Sequence, residues 1–270
     1  MLRLVNTGPN EANQLGKIVS KNIAVSKNIT AVMNPSACLD IKMNTINNKL
    51  LIAIMALSVP RTLLADTIED GRYWFAVATQ GKLPAQNWNW MFDVNQRYRN
   101  EGANADSFFT RTGISYQINP KTSLGLGFDH VVNHPAGRQA IDENRLWQQV
   151  AYRFDPILGI NLASRTRLEQ RWREGGDDTS YRLRQMIRAT IPLAINPKLS
   201  VVAFDELFIN LNKTDWGVNR GNDQNRVFLG VNWAFTPSTS IETGYLNQYV
   251  NTRNIDGVNH VLSSTLRLNF

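Results

Sequence analysis

The sequence predicts an all-β fold, an antiparallel up-and-down transmembrane β-barrel of about 10–12 strands, on three observations. Apolar and polar residues alternate from about Gly71 onwards, the last residue, Phe270, is aromatic, and no run of about 20 apolar residues occurs. A spanning helix requires such a run, whereas a strand of a barrel wall needs about 9–11 residues that alternate between lipid and lumen. The mean hydropathy of −0.30 agrees with this fold, because a polar lumen lowers the average.

Residues 43–65 have the features of a cleaved signal peptide. A short segment beginning at Met43 carries one lysine and precedes the apolar run 50–58, Pro60 ends this run, and Ala65 supplies a small residue at the cleavage site. The apolar run is too short to span a membrane, which requires about 20 residues. The chain is therefore predicted to be exported.

Residues 1–42 are predicted to be a non-native or disordered extension, with Met43 as the true start; a genuine leader extension is the alternative. They contain the only cysteine, Cys38, so the predicted barrel domain, residues 66–270, has no basis for disulfide or thiol chemistry. Seven of the 29 Lys and Arg residues and two of the 22 acidic residues precede residue 66. The remainder carries a net charge of +2, which gives no support for nucleic-acid binding.

The alternation defines the candidate strands one by one. Residues 73–80 form the first candidate strand. In the second, Trp88 and Trp90 lie at even positions and face one side, whereas Asn89 and Arg97 lie at odd positions and face the other. The apolar sets of the later candidates are, in order, Ile114/Tyr116/Ile118, Leu124/Leu126/Phe128, Leu146/Val150/Tyr152/Phe154, Ile160/Leu162/Leu168/Trp172, Leu183/Ile187/Ile191, Leu199/Val201/Leu207/Ile209, Val227/Leu229/Val231/Trp233/Phe235, Ile241/Tyr245/Tyr249 and Leu262/Leu266/Leu268. Each set alternates with polar residues, so each strand is predicted to have one apolar and one polar face.

The connections also alternate, between tight and long. Tight turns containing proline lie at 119–121, 155–156, 196–198 and 236–238, and longer polar loops lie at 100–106, 133–142, 174–179 and 212–223. Short turns at one end and long loops at the other are typical of porin-like barrels in the outer membrane of Gram-negative bacteria. About eleven candidate strands are found. Because single-chain bacterial barrels have even numbers, we expect ten, with 73–80 outside the wall, or twelve.

A soluble periplasmic β-sandwich or a lipocalin-like binding protein is the competing fold, with the apolar faces turned inward. Two features argue against it: the candidate strands are about 11–14 residues long, against a usual length of about 5–6, and aromatic residues gather near strand ends, as membrane-interface girdles require. Asp205 does not fit, because strict alternation places it among lipid-facing residues. We expect a bulge or a position near the membrane interface there.

Arginines occupy the polar faces of the candidate strands and predict a lumen network with acidic partners. The candidate network residues are Arg97, Arg111, Arg165, Arg167, Glu169, Arg182, Arg184, Arg188, Glu206, Arg226 and Glu242, with Asp93 and Asp129 as further acids. One interpretation is structural: the pairs form a ladder that fills a narrow lumen. The other is functional: arginines in a confined, wet space favour anions, which predicts an anion-selective passage or a site for an acidic ligand.

Several short motifs resemble a bacterial family catalogued as domain-of-unknown-function family 2490. The motifs are Trp74, Tyr181-Arg-Leu-Arg184, Asp205-Glu206-Leu-Phe208, Gln224-Asn-Arg226 and Gly244-Tyr-Leu-Asn-Gln248. The resemblance covers roughly Trp74 to Phe270 and implies an exported outer-membrane β-barrel, but it implies no activity. Glu206 and Arg226 match its most recognisable positions, and the strand register predicts that they pair across neighbouring strands inside the lumen.

An outer-membrane lipid-modifying enzyme is the catalytic alternative, typically with a histidine and a serine two positions apart on the lipid-facing side. The chain has three histidines, His130, His134 and His260, and none has a serine two places further on. An acidic site at the barrel mouth would have to use the loop residues Asp177, Asp178, Asp215 and Asp223. Neither pattern is convincing, so we predict no enzyme, no cofactor and no metal site.

These patterns together predict an outer-membrane protein that is either structural or a restricted passage for small solutes, anions among them. The expected partners are outer-membrane lipid and lipopolysaccharide, and the barrel-assembly machinery. The assembly machinery would read the last strand, in which Leu266, Leu268 and Phe270 form the assembly signal. The sequence leaves the solute and the oligomeric state open.

Overall fold

The computed structural model of the protein describes residues 67–252 and 255–270, which form eleven β-strands and no helix. The strands are β1 (Thr67–Lys82), β2 (Trp88–Arg99), β3 (Asn104–Gln117), β4 (Thr122–Asn133), β5 (Ile141–Arg153), β6 (Asn161–Arg173), β7 (Ser180–Leu193), β8 (Asn196–Asn210), β9 (Gly221–Ala234), β10 (Thr239–Val250) and β11 (Asp256–Asn269). The predicted extension, residues 1–42, and the predicted signal peptide, residues 43–65, lie outside the described residues. Nothing helical in the described part of the chain could cross a membrane.

The eleven strands form one closed barrel in which each strand pairs with its sequence neighbour and β1 pairs with β11. The ten sequential pairs are antiparallel, and the closing pair is parallel, in register from Thr67 opposite Asp256 to Gln80 opposite Asn269. An odd number of alternating strands makes the first and the last run in the same direction, so a parallel seam is required. The predicted barrel fold is confirmed, but the expected even number of strands is wrong, because the first candidate strand belongs to the wall.

Turns and loops separate to opposite ends of the barrel. One end has the connections 83–87, 118–121, 154–160, 194–195 and 235–238, and the other has 100–103, 134–140, 174–179 and 211–220 together with residues 251, 252 and 255. We call these the turn end and the loop end. Because β1 runs parallel to β11, Thr67 lies at the loop end and Phe270 at the turn end, where the Phe270 N–H donates to the Gln80 carbonyl at 2.9 Å.

The large side chains on the outside of the barrel are mainly apolar. Phe92, Leu126 and Leu229 expose 45%, 46% and 42% of their surface, values that a soluble protein does not tolerate in a repeating pattern. Aromatic pairs lie near the turn end, with ring centroids 5.2 Å apart in Trp88–Tyr116, 4.9 Å in Tyr152–Phe154 and 4.6 Å in Trp233–Phe235. The apolar faces point outward, as in transmembrane barrels, and the soluble sandwich and lipocalin-like alternatives, which need an apolar interior, do not fit.

Asp205 keeps the regular register that the alternation predicts. It lies opposite Val227, and the nearest irregularity between β8 and β9 falls between Phe208 and Ile209. Of the two expectations for Asp205, the bulge is wrong, and a position near the membrane interface stays a prediction. Its carboxylate stays on the outer face, where the Asn225 amide donates to it at 2.6 Å.

The parallel seam makes a topological prediction. An epitope inserted directly before Thr67 should lie at the same end as an epitope inserted in 211–220, and at the end opposite to one inserted in 118–121. Antibody labelling of intact and of permeabilised cells measures this, with the two loop insertions as references. If the tag before Thr67 is labelled like the tag in 118–121, then β1 does not run parallel to β11.

Candidate functional site

The lumen is lined by arginines because alternate residues of each strand point inward. On β6 and β7 this period places Arg165, Arg167, Arg182, Arg184 and Arg188 on the inner face. Arg167, Arg182 and Arg184 are buried, which shows that the barrel interior is filled with side chains at this depth.

The central ion-pair cluster is built on two buried acids, Glu169 and Glu206. The guanidinium groups of Arg182 and Arg184 donate to Glu169 at 2.7 and 2.6 Å. Arg184 also donates to Glu206 at 2.7 Å, and Arg165 donates to the same carboxylate at 2.8 Å. Arg184 thus joins the two acids, and the cluster ties β6, β7 and β8 together inside the lumen.

Two further clusters flank this centre. Asp129 accepts two hydrogen bonds of 2.8 Å from Arg111 and one of 2.7 Å from the Trp147 indole, and Asp93 lies 3.6 Å from Arg111. Near the turn end, Glu242 on β10 accepts hydrogen bonds from Arg188 on β7 and, at 3.0 Å, from Arg267 on β11. Because β7 and β10 are not neighbours in the wall, the bond between Arg188 and Glu242 crosses the lumen.

Three arginines of the predicted network have neutral hydrogen-bond partners instead of close acids. Arg97 donates to Asn95 at 2.8 Å, Arg226 donates to Gln224 at 3.2 Å, and Arg167 donates to Gln149 at 2.7 Å. Within residues 67–252 and 255–270, neither Arg97 nor Arg226 has a carboxylate within the ion-pair distance of 4.0 Å. Arg167 has only a long contact of 3.9 Å with a carboxylate.

Aromatic rings hold these guanidinium groups in place. Arg97 lies 3.9 Å from the ring centroid of Trp74 and 4.1 Å from that of Phe109. Arg226 lies 4.9 Å from Trp74 and 4.6 Å from Phe208. An aromatic face attracts a cation without neutralising its charge. Arg97 and Arg226 are therefore held in place by aromatic rings, while the carboxylates nearest to them lie beyond the ion-pair distance of 4.0 Å.

The expected pair of Glu206 and Arg226 does not form. The two residues face each other in the register of β8 and β9, as predicted, but Glu206 bonds to Arg165 and Arg184 instead. The Arg226 guanidinium contacts the rings of Trp74 and Phe208 and donates to Gln224 instead.

The lumen contains a series of cavities. A mouth cavity of about 530 Å³ at the loop end shares Asp106, Asn133 and Asp223 with an inner cavity of about 300 Å³. Below the inner cavity lies a third one, of about 290 Å³, towards the turn end. The inner and lower cavities share Arg97, Phe109 and Arg111, so these three side chains form the partition between them.

Two lumen residues, Glu143 and Trp147, were not predicted. Glu143 accepts hydrogen bonds from Arg145 at 2.7 Å and from Arg171 at 2.6 Å. Trp147 is fully buried inside the lumen, beside Asp129. Both have the same parity as Arg145 on β5, so strict extension of the alternation would have found them.

Trp147 on β5 needs two glycines, Gly127 on the neighbouring strand β4 and Gly113 on the next strand, β3. A Cβ atom at Gly113 would lie 2.8 Å from its ring, and one at Gly127 would lie 2.1 Å from it. Both are far inside van der Waals contact, so a larger residue at either position would displace the indole from Asp129. The glycines thus position the tryptophan that holds this acid.

The acidic residues of the mouth join loops to each other. The Asp215 carboxylate accepts the backbone N–H of Asp177 at 2.9 Å and of Asp178 at 3.2 Å, and Asp178 in turn accepts the N–H of Asp215 at 2.8 Å. These backbone donors, that of Asp177 first, hold the pKa of Asp215 below its ordinary value. Asp223 accepts from Arg182 at 3.0 Å. The hydrogen bonds between Asp177, Asp178 and Asp215 connect loop 174–179 to loop 211–220.

The histidines lie apart from one another. His130 contacts Asn144 at 3.0 Å, and His260 contacts the Tyr245 hydroxyl at 2.7 Å. The His134 carbonyl accepts a hydrogen bond from Arg99 at the loop end. In the part of the chain that the structure describes, no three His, Cys, Asp or Glu residues are placed to hold a metal ion.

Comparison with known proteins supports the resemblance seen in the sequence. A family model described as "Protein of unknown function (DUF2490)" matches residues 71–259. An uncharacterized protein of Methylorubrum extorquens is 30% identical over 223 residues, which cover 80% of this chain and 95% of that protein.

Two solved barrels are also similar. The NanC porin is 12% identical with a TM-score of 0.43, over 70% of this chain and 90% of the porin. LpxR from Salmonella typhimurium is 12% identical with a TM-score of 0.43, over 67% of this chain and 83% of LpxR. At these values neither similarity supports a functional assignment.

The central cluster makes a stability prediction. Replacing Glu206→Gln leaves Arg165 and Arg184 facing a neutral amide in a buried site, so the free energy of unfolding should fall by about 3 kcal/mol. Thermal unfolding of the refolded protein in detergent measures this. The control is Asp155→Asn, which removes the exposed pair with Lys121 and should leave the midpoint unchanged. Equal midpoints for both variants and the wild type would contradict the buried ion-pair cluster.

Proposed function

The chain belongs to the DUF2490 family of proteins of unknown function, so we propose a role from its own lumen: it is an outer-membrane barrel that binds small anions and lets them pass along a restricted path. The observation that carries this proposal is the pair Arg97 and Arg226, whose charges face the inner cavity without a carboxylate partner.

The inner cavity has an excess of positive charge. Seven arginines and three acidic side chains line it. Five of these arginines have an acid within hydrogen-bond distance, and the remaining two are Arg97 and Arg226. Inside a narrow space with few water molecules, an uncompensated guanidinium attracts anions more strongly than it does at an open surface. Planar groups such as carboxylates and phosphates can accept two hydrogen bonds from it.

The partition explains why passage would be restricted. Arg97, Phe109 and Arg111 separate the inner cavity from the lower one. Of these, Arg111 is fixed by Asp129, whereas Arg97 is held only by two rings and a neutral amide. Movement of the Arg97 side chain is the step that joins the cavities. An anion bound to its guanidinium would compete with the ring contacts and favour that movement.

The apolar outer face and the separation of short turns from longer loops support residence in the outer membrane. The lipid of that membrane would cover the apolar wall, and lipopolysaccharide would surround the loop end. A purely structural barrel is the second candidate, and the fully buried Trp147 and Phe208 in the lumen favour it. The two candidates differ in whether ions cross the partition.

Planar bilayers with the refolded protein distinguish these candidates. The wild type should give small conductance steps with a reversal potential that shows chloride preference over potassium. The double variant Arg97→Gln/Arg226→Gln should lower the anion preference several-fold, because it removes the two arginine charges of the inner cavity that have no carboxylate within 4.0 Å. The control Arg138→Gln, in the exposed loop 134–140, should not change it. Silent bilayers would support the structural barrel, and cation preference would overturn the anion proposal.

We also propose that the last strand is what the barrel-assembly machinery recognises. Leu266 and Leu268 alternate with Arg267 and lie on the outer face of β11, and the Phe270 ring stacks on Trp90 with centroids 6.0 Å apart. This leaves an aromatic terminus at the turn end, on the membrane side.

Phe270→Ala should reduce the amount of assembled barrel in the outer-membrane fraction severalfold in cells, while the purified protein still refolds in detergent. The control is Phe235→Ala, which removes another exposed turn-end aromatic without changing the terminus. Heat-modifiable migration on gels measures the assembled fraction. Equal losses for both variants would show that Phe270 acts only as a girdle residue.

A further inference from the structure

Two arginines of the inner cavity share one local arrangement. Arg97 on β2 and Arg226 on β9 each follow an amide residue two positions earlier on the same strand. The Asn95 oxygen accepts the Nε–H of Arg97 at 2.8 Å, and the Gln224 oxygen accepts the Nε–H of Arg226 at 3.2 Å. Residues two apart on a strand face the same side, so each amide lies on the lumen face beside its arginine. The same arrangement thus occurs on two strands that are not neighbours in the wall.

A third arginine shows this arrangement with an acid in place of the amide. Arg145 on β5 donates through its Nε–H to Glu143, two positions earlier, at 2.7 Å. The strand geometry therefore accepts either an amide or a carboxylate at this position. Asn95 and Gln224 hold their arginines in the same way as Glu143 does, but they bring no negative charge.

The contacts around the two guanidinium groups leave one edge of each for a ligand. Arg97 contacts the rings of Trp74 and Phe109, and Arg226 contacts the rings of Trp74 and Phe208. Rings interact with a guanidinium through its faces, and the amides use the Nε–H. In the part of the chain that the structure describes, the Nη groups of both arginines donate to no protein acceptor. The edge formed by Nη1 and Nη2 is the one that binds an anion with two hydrogen bonds.

Both arginines line the same cavity. The inner cavity has a volume of about 300 Å³, so one ligand inside it can reach both guanidinium groups. The ring that they share, Trp74, has a buried indole N–H that also lacks an acceptor among the described residues. The space around Trp74 therefore has more hydrogen-bond donors than acceptors, and a group that only accepts would correct this imbalance.

Shape and charge favour a phosphate group over a carboxylate. A carboxylate offers a single pair of oxygens, whereas a tetrahedral phosphate offers several pairs and can accept two hydrogen bonds from each of two arginines. A phosphate monoester carries a charge of about −1.5 to −2 at neutral pH, which matches two guanidinium groups. Since one water molecule occupies about 30 Å³, the cavity also has room for a small organic group beside the phosphate.

We propose that Arg97 and Arg226 form a binding site for a phosphate group, either of inorganic phosphate or of a small phosphate ester. This inference rests on the proposed anion passage, because it names the class of anion that the same two charges select. Trp74 is a positioning residue: it contacts both guanidinium groups but does not line the cavity. A phosphate bound there would occupy the space above the partition and reduce the flow of chloride.

Calorimetric titration of the refolded protein in detergent tests the site. Inorganic phosphate and glycerol phosphate should each bind saturably at about pH 8, where the phosphate group is doubly charged, and at least tenfold more tightly than acetate. Tighter binding of glycerol phosphate would identify a phosphate ester as the ligand, and tighter binding of inorganic phosphate would identify the free ion. If neither phosphate binds saturably, or if acetate binds equally well, the proposal is wrong.

A charge-neutralising variant tests the residues. Asn95→Asp copies the arrangement of Glu143 and Arg145, so it places a carboxylate on Arg97 and leaves the arginine present. The dissociation constant for phosphate should rise at least tenfold. The matched control is Gln149→Glu, which adds the same charge beside Arg167. Arg167 does not line the inner cavity, so this control should change the constant by less than about twofold. Equal effects of the two variants would contradict the assignment.

A second variant separates charge from geometry. Arg226→Lys keeps the positive charge but loses the planar edge, so it should also weaken phosphate binding at least tenfold. Unchanged binding would show that any cation suffices and would overturn the two-arginine site. The chloride preference in planar bilayers is measured independently. Retained chloride preference without phosphate binding would overturn the phosphate site alone, whereas phosphate binding with silent bilayers would support the site and overturn the passage alone.

Discussion

Closure of the backbone ladder is the constraint on which the rest of this structure depends. Inside a bilayer every N–H and C=O group needs a partner within the protein, so a sheet that crosses it cannot keep a free edge. With eleven strands the closing pair must be parallel, and β1 meets that demand along its length, from Thr67 opposite Asp256 to Gln80 opposite Asn269. The closed wall has an outer face and a lumen face. The alternation along each strand then decides which residues contact lipid and which contact each other inside the lumen.

The enclosed face explains how so many arginines can share a narrow lumen. Burying an ion pair gives little net stability, because desolvation offsets the attraction, but removing one partner is costly. Arg184, bonded to Glu169 at 2.6 Å and Glu206 at 2.7 Å, therefore holds the barrel in one arrangement more than it stabilises it. Arg97 and Arg226 follow a different rule, since aromatic rings keep them in place without cancelling their charge. Within this one lumen, some arginines are held in place by groups that neutralise their charge, and others are held by groups that do not.

Much of the wall was predictable from the sequence, because the period of two assigns each residue to a face. Arg111, Arg184 and Glu206 lie inside as their parity requires. The ion-pair partners inside the lumen were less predictable, because Glu206 and Arg226 face each other in the register but bond to other residues. Which acid an arginine reaches depends on distances across the barrel, and these distances follow from the number of strands and their stagger. The alternation of residues along one strand gives no information on either. The predicted number of strands was wrong, because the general preference of bacterial barrels for even strand numbers was given more weight than the eleven candidate strands counted in the sequence.

The same period of two shows that polar lumen and polar wall come from the same strands. On β6 the inner face carries Arg165, Arg167, Glu169 and Arg171, and the outer face carries Ser164, Thr166 and Gln170. Only Leu162, Leu168 and Trp172 are left to face lipid, so this strand is polar on both sides. A polar lumen accounts for one of these sides and for part of the low mean hydropathy. On the outer side the polar groups bond to one another instead: Gln170 pairs with Gln148 on β5, and Thr166 donates to Gln185 on β7. A wall strand can thus carry polar residues on both faces where neighbouring strands supply the partners that lipid cannot.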